Sequence, residues 1–130
     1  MKLRVLLLLS VFLIGWSGCK KDSTNPAGNT TTPLVTFTMS SQPGTQGGTS
    51  FLFAPSVDVR LTRAIVALAA QQFVDTLTNP NPTQVFSAGT PYQLQEYTGV
   101  ASGQQWSFLL TGTLVSNNAA FNQPAAYTVP

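Results

Sequence analysis

From Leu34 onward the chain is written in short alternating runs, and that period commits it to sheet. Val35, Phe37 and Met39 alternate with Thr36, Thr38 and Ser40. Successive side chains of a strand point to opposite faces, so such a run buries one face and wets the other. Residues 42–48 (QPGTQGG) are turn material, and 50–54 place Phe51 and Phe53 on one face. Strands are expected at 34–40 and 50–54, and a short one at 83–87 (TQVFS). Others are expected at 92–97 (YQLQEY), 105–115 and, at the end of the chain, 126–129. In 92–97, Tyr92, Leu94 and Glu96 alternate with Gln93, Gln95 and Tyr97. Gly112, inside the 105–115 run, marks a bulge or bend.

Residues 57–70 read two ways. Val57, Val59 and Leu61 alternate with Asp58, Arg60 and Thr62, as in a strand, whereas Ile65, Leu68, Ala69 and Phe73 also fit a helical face. The β-branched start and the alternating run that follows (FVDTLT, 73–78) favour strand. Asn79-Pro80-Asn81-Pro82 then breaks the pattern. About seven short strands, with a turn signal roughly every ten residues, predict an all-β fold, an antiparallel β-sandwich. In length and rhythm Pro33–Pro130 resembles immunoglobulin-like and fibronectin-III-like domains, without the Cys…Trp…Cys frame of antibody domains. That resemblance offers Tyr97 as a tyrosine corner.

The N-terminal stretch, MKLRVLLLLSVFLIGWSGCKKD, has different physics. Lys2 and Arg4 precede an apolar run from Val5 to Trp16, interrupted only by Ser10 and Gly15. About a dozen residues fall short of the roughly 20 that span a bilayer, and match the apolar core of a secretory signal. Ser17 and Gly18 then precede Cys19. This arrangement resembles the lipobox of bacterial lipoproteins, with Trp16 where that family prefers Leu. The resemblance implies cleavage between Gly18 and Cys19 and acylation of Cys19. Residues 1–18 are then a signal, 19–32 a polar tether and Pro33–Pro130 the domain. The Cys-Lys-Lys-Asp start is similar to lipoproteins of Bacteroidota, and Lys20 after the cysteine implies the outer membrane. Asp22-Ser23-Thr24 and Asp75-Thr76-Leu77 resemble the O-glycosylation motif of that group, which makes Ser23 the better candidate for a glycan.

Removing the signal changes the charge. The whole chain carries six Lys and Arg against four Asp and Glu. After Lys2 and Arg4 leave, Lys20, Lys21, Arg60 and Arg63 balance Asp22, Asp58, Asp75 and Glu96. A neutral chain has no basic patch for nucleic acid. There is no histidine, which excludes Ser-His-Asp and Cys-His catalysis and imidazole metal ligation. Cys19 is the only cysteine, so no disulfide forms within the chain, and no cofactor is expected beyond the lipid on Cys19.

The expected function is therefore that of a non-enzymatic binding or structural module, held to the membrane by lipid, with an envelope protein or a glycan as partner. Arg60, Arg63, Tyr92 and Tyr97 are the candidate contacts. A sugar platform would need Tyr92, Tyr97 and Tyr127 exposed in a row. A carboxylate hydrolase would need Asp75 and Glu96 facing each other across a cleft. Asp58 and Arg60, two apart on a strand, are expected to pair, and Trp106 and Phe108 to fill the core.

Overall fold

The computed structural model describes residues 34–130. The expectations for the signal, for cleavage at Gly18 and Cys19, for the tether and for Ser23 lie outside the described residues.

Seven strands follow in order: β1 (Phe37–Pro43), β2 (Thr49–Pro55), β3 (Val59–Leu68), β4 (Phe73–Thr78), β5 (Tyr92–Tyr97), β6 (Gln105–Leu114) and β7 (Ala120–Thr128). They form two antiparallel sheets, one ordered β1-β2-β5 and the other β4-β3-β6-β7. The protein is an all-β sandwich. With β4 set aside, the sheets hold strands 1-2-5 and 3-6-7, the chain path of the immunoglobulin fold. A constant-type domain puts its fourth strand beside the fifth; here it lies beside the third. The tight β3–β4 connection explains this placement. A single 3-10 turn, Ala69–Gln71, and a left-handed Gln72 return the chain so that Leu68 pairs with Phe73.

Burial follows strand position. The interior strands carry the core: Phe51 and Phe53 on β2, Val59, Leu61, Ala64, Val66 and Leu68 on β3, and Trp106, Phe108, Leu110 and Leu114 on β6. The edge strands β4 and β7 are exposed on one face and half-buried on the other, apart from Phe121 of β7, which joins the core. Phe51 is the hub. Its ring lies 4.9 Å from that of Trp106, 5.3 Å from that of Phe108, and 6.1 Å from those of Tyr97 and Tyr127. Fully burying one such side chain contributes roughly 1.5–3 kcal/mol. Among the described residues, no buried side-chain polar atom lacks a hydrogen-bond partner.

Of segment 57–70, Val59–Leu68 is strand, with Val57 and Asp58 in the turn before it and Ala69 and Ala70 in the 3-10 turn after it, and the strand carries one irregularity. The β3–β6 register shifts between Leu61 and Arg63, so that Leu61 faces Gly112 and Arg63 faces Thr111. Thr62 is the extra residue of a bulge, and its hydroxyl donates to the Thr111 carbonyl at 3.1 Å. A side chain on Gly112 would collide with the Arg60 carbonyl, so glycine is required where the bulged backbone presses in.

Besides β1 running on to Pro43, into the expected turn, three larger differences from expectation stand out. The first strand starts at Phe37 rather than Leu34, because Thr36 is tied to Ser56 instead: Ser56 N–H donates to the Thr36 carbonyl, and Thr36 N–H to Ser56 Oγ, both at 2.9 Å. Residues 83–87 form no strand. Phe86 makes one isolated bridge to Val59 and plugs the interior, 8% exposed, while the prolines around it keep the segment irregular. The last strand begins at Ala120, six residues early, and runs through Pro124. Strand β7 is an edge, where a missing N–H leaves no ladder bond unmade.

Candidate functional site

Two concave features are present among the described residues: a shallow one of about 520 Å³ beside the β3–β4 turn, lined by Leu68, Ala69–Gln71 and residues 102–105, and a smaller one where the sheets part, between edge strands β4 and β5, which holds the candidate contact Arg63. Phe53, Leu61, Ala64, Leu77, Phe86 and Leu94 give it apolar walls, and Arg63, Thr78, Asn79, Pro80 and Gln93 complete its lining. Its volume is about 160 Å³, well below the 300–1,000 Å³ of typical small-molecule sites. A single apolar side chain of a partner is the scale of group it could seat. Three local features build it. The Thr62 bulge leaves both Thr62 and Arg63 exposed between the buried Leu61 and Ala64. Asn79 closes the end of β4 by bonding Leu61 O through its side chain at 2.8 Å, and Thr62 O through its backbone at 2.9 Å. Phe86, held by Val59, forms the base, with Tyr92 edge-on to it at 4.9 Å.

The other candidate contacts are engaged within the fold. The Arg60 guanidinium donates to Asn118 Oδ1 at 3.1 Å. Asp58, expected to pair with Arg60, instead accepts the Ala88 N–H at 2.8 Å. Asp58 sits in the turn before β3 and is not paired as a strand residue, so the shared face assumed for the two does not exist. Tyr92 accepts the Ser87 N–H on its hydroxyl at 2.9 Å. That bond is the main reason its phenol is held below the ordinary tyrosine range. Tyr97 packs its ring on Trp106 at 5.5 Å and on Phe73 at 5.6 Å. Its hydroxyl donates to Asp75 Oδ2 at 2.8 Å. Burial first, and then the Asp75 carboxylate, raise its pKa far above the ordinary value. Because that hydroxyl crosses to the facing sheet rather than to nearby upstream backbone, Tyr97 is not a tyrosine corner. Tyr127 completes the set. Its hydroxyl meets Ser41 Oγ at 3.0 Å, and it lies on β7, in the other sheet from Tyr92 and Tyr97.

The two carboxylates considered for hydrolysis also serve backbone and side chain. Asp75 receives Tyr97. Glu96 reaches into the β1–β2 turn and accepts three backbone N–H groups: Thr45 at 3.0 Å, Gln46 at 3.0 Å and Gly48 at 2.7 Å. Glycine is needed at 44 and 48 because a side chain on Gly44 would occupy the space of that carboxylate, and one on Gly48 would come within 2.6 Å of the Tyr97 carbonyl. Sequence reasoning missed this latch, although the two glycines bracketing the turn were its visible trace. Among the described residues, no three acidic, histidine or cysteine side chains converge as a metal site.

No protein-family model, curated protein or solved structure matches the chain.

Proposed function

We propose that the chain is a lipid-anchored protein of the cell envelope, cleaved between Gly18 and Cys19. Its sandwich serves as a non-enzymatic binding or structural module, with an envelope protein as partner. The observation that carries this proposal is the position of Cys19. It is the only cysteine, and it follows a small pair and an apolar run too short to span a bilayer. Among the described residues no helix is long and apolar enough to cross a membrane. The chemistry of the body agrees with a binding role. Asp58, Asp75 and Glu96 each hold part of the fold together, and the cleft beside Arg63 is a feature into which a partner could place an apolar side chain. The Lys20 that follows the cysteine supports the outer membrane as destination.

The test is the Cys19→Ala variant expressed in a bacterium that lipidates exported proteins. Loss from the membrane fraction, or accumulation of the uncleaved precursor, is the expected outcome. A Cys19→Ala protein that is still cleaved and still sediments with membranes would refute the assignment.

A further inference from the structure

Four large apolar side chains stand out on the described surface: Leu34, 52% exposed, Val57, 39%, Val85, 42%, and Val74, 66%. Three of them share one end of the sandwich. Leu34 lies two residues before Thr36, which is bonded both ways to Ser56 in the β2–β3 turn, and Val57 is the next residue of that turn. Val85 precedes Phe86, whose backbone exchanges hydrogen bonds with Val59 at 3.0 and 2.8 Å. The Ala88 bond to Asp58 draws the same loop against the same turn. Val74 is the exception. It sits on β4 next to Phe73, which pairs with Leu68 at the opposite end of β3 from Val59.

The end that carries the three is also the end at which the chain enters the body. Leu34 follows Cys19 by 15 residues (34 − 19), a reach of at most about 50 Å. We propose that this end rests on the lipid surface, with Leu34, Val57 and Val85 entering the boundary between headgroups and acyl chains; this rests on the lipid anchor proposed above. Three aliphatic side chains hold a free domain on a bilayer weakly. Tethering makes their contact intramolecular, so a weak patch is enough to fix orientation. Charge does not oppose the contact: among the described residues the ionic groups at this end are Asp58 and Arg60, one of each sign and both hydrogen-bonded. The opposite end, with the β3–β4 turn, then points away from the bilayer.

The experiment uses the full lipoprotein, purified from membranes and reconstituted in vesicles of phosphatidylethanolamine and phosphatidylglycerol. Val57→Cys and Val85→Cys each receive a nitroxide, Cys19 being blocked by its acyl chain, and Val74→Cys is the reference. Collisions with oxygen and with a water-soluble nickel chelate are read by power saturation. The labels at 57 and 85 should show an oxygen-to-nickel ratio several-fold above that at 74. Equal ratios at all three sites, on protein whose mass shows the acyl chains, overturn the orientation and leave the anchor standing. Shielding of 57 and 85 from both reagents means a protein covers the patch, and it also overturns the lipid assignment. Protein without acyl mass removes the anchor and the orientation together.

Discussion

Tyr97 on β5 donates its hydroxyl to Asp75 on β4, at 2.8 Å, across the gap between the two sheets. At the opposite side of the sandwich Tyr127 on β7 meets Ser41 on β1, at 3.0 Å. Each open side, where an edge strand of one sheet lies over an edge strand of the other, is thus closed by a phenol. Aromatic packing accompanies both: Phe73 against Tyr97, and Phe37 against Phe121 with centroids 5.7 Å apart.

Tyr97→Phe keeps the ring and removes the bond. It should destabilise the domain by about 1 kcal/mol, since the site is only half-buried and a net hydrogen bond contributes roughly 0.5–1.5 kcal/mol. The loss is read as a lower denaturant midpoint with an unchanged slope. An unchanged midpoint would mean the two sheets are held without it.

The same tyrosine sets an alkaline limit. Its pKa in the folded protein is raised by burial and by Asp75, above the ordinary value of about 10 for the unfolded chain. Its contribution to stability is therefore complete below about pH 10. It declines as pH rises from there through the raised folded value, because the unfolded chain ionises first. Tyr92, lowered by the Ser87 N–H, acts in the opposite sense, so the comparison must be made against Tyr97→Phe. Between pH 9 and 11 the wild type should lose more stability than the variant. Parallel curves would contradict the assignment.

Glu96 and Gly44 should behave as one unit. Glu96→Ala releases three backbone N–H groups of the β1–β2 turn and should cost about 1–3 kcal/mol. Gly44→Ala displaces the same carboxylate. The double variant should be less unstable than the sum of the two, and a cycle that closes additively would show that the residues do not interact.

Core and bulge give two larger effects. Trp106→Ala, at a site 4% exposed, should cost about 3–5 kcal/mol. Gly112→Ala drives a methyl group into the Arg60 carbonyl and should cost about 1–3 kcal/mol. Thermal unfolding checks both, and a melting point unmoved by either substitution would place that residue outside the packed interior.

The sandwich was legible because alternation survives in strands buried on one face, such as β1 and β6. Residues 57–70 read two ways because the outer face of an interior strand is apolar too. Ile65, Leu68, Ala69 and Phe73 have helical spacing, but Ile65 is apolar on the half-buried outer face of β3, Leu68 points inward, Ala69 is in the 3-10 turn and Phe73 opens β4. Pro124 hid the start of β7, since a proline argues against a strand unless the strand is known to be an edge. The cleft was not legible at all: Leu77, Phe86 and Leu94 come from three separate segments, and only the crossing of the chain between sheets brings them together. The Asp75–Tyr97 and Glu96 latches were hidden for the same reason, being contacts of 22 and about 50 residues' separation.

The most direct measurement is the intact mass of the native protein extracted from membranes. The predicted result is a chain beginning at Cys19 with acyl chains added, and any excess beyond that mass assigns a glycan such as that expected on Ser23. A mass equal to the full precursor, or to a chain cleaved elsewhere with an unmodified cysteine, would contradict the lipid anchor.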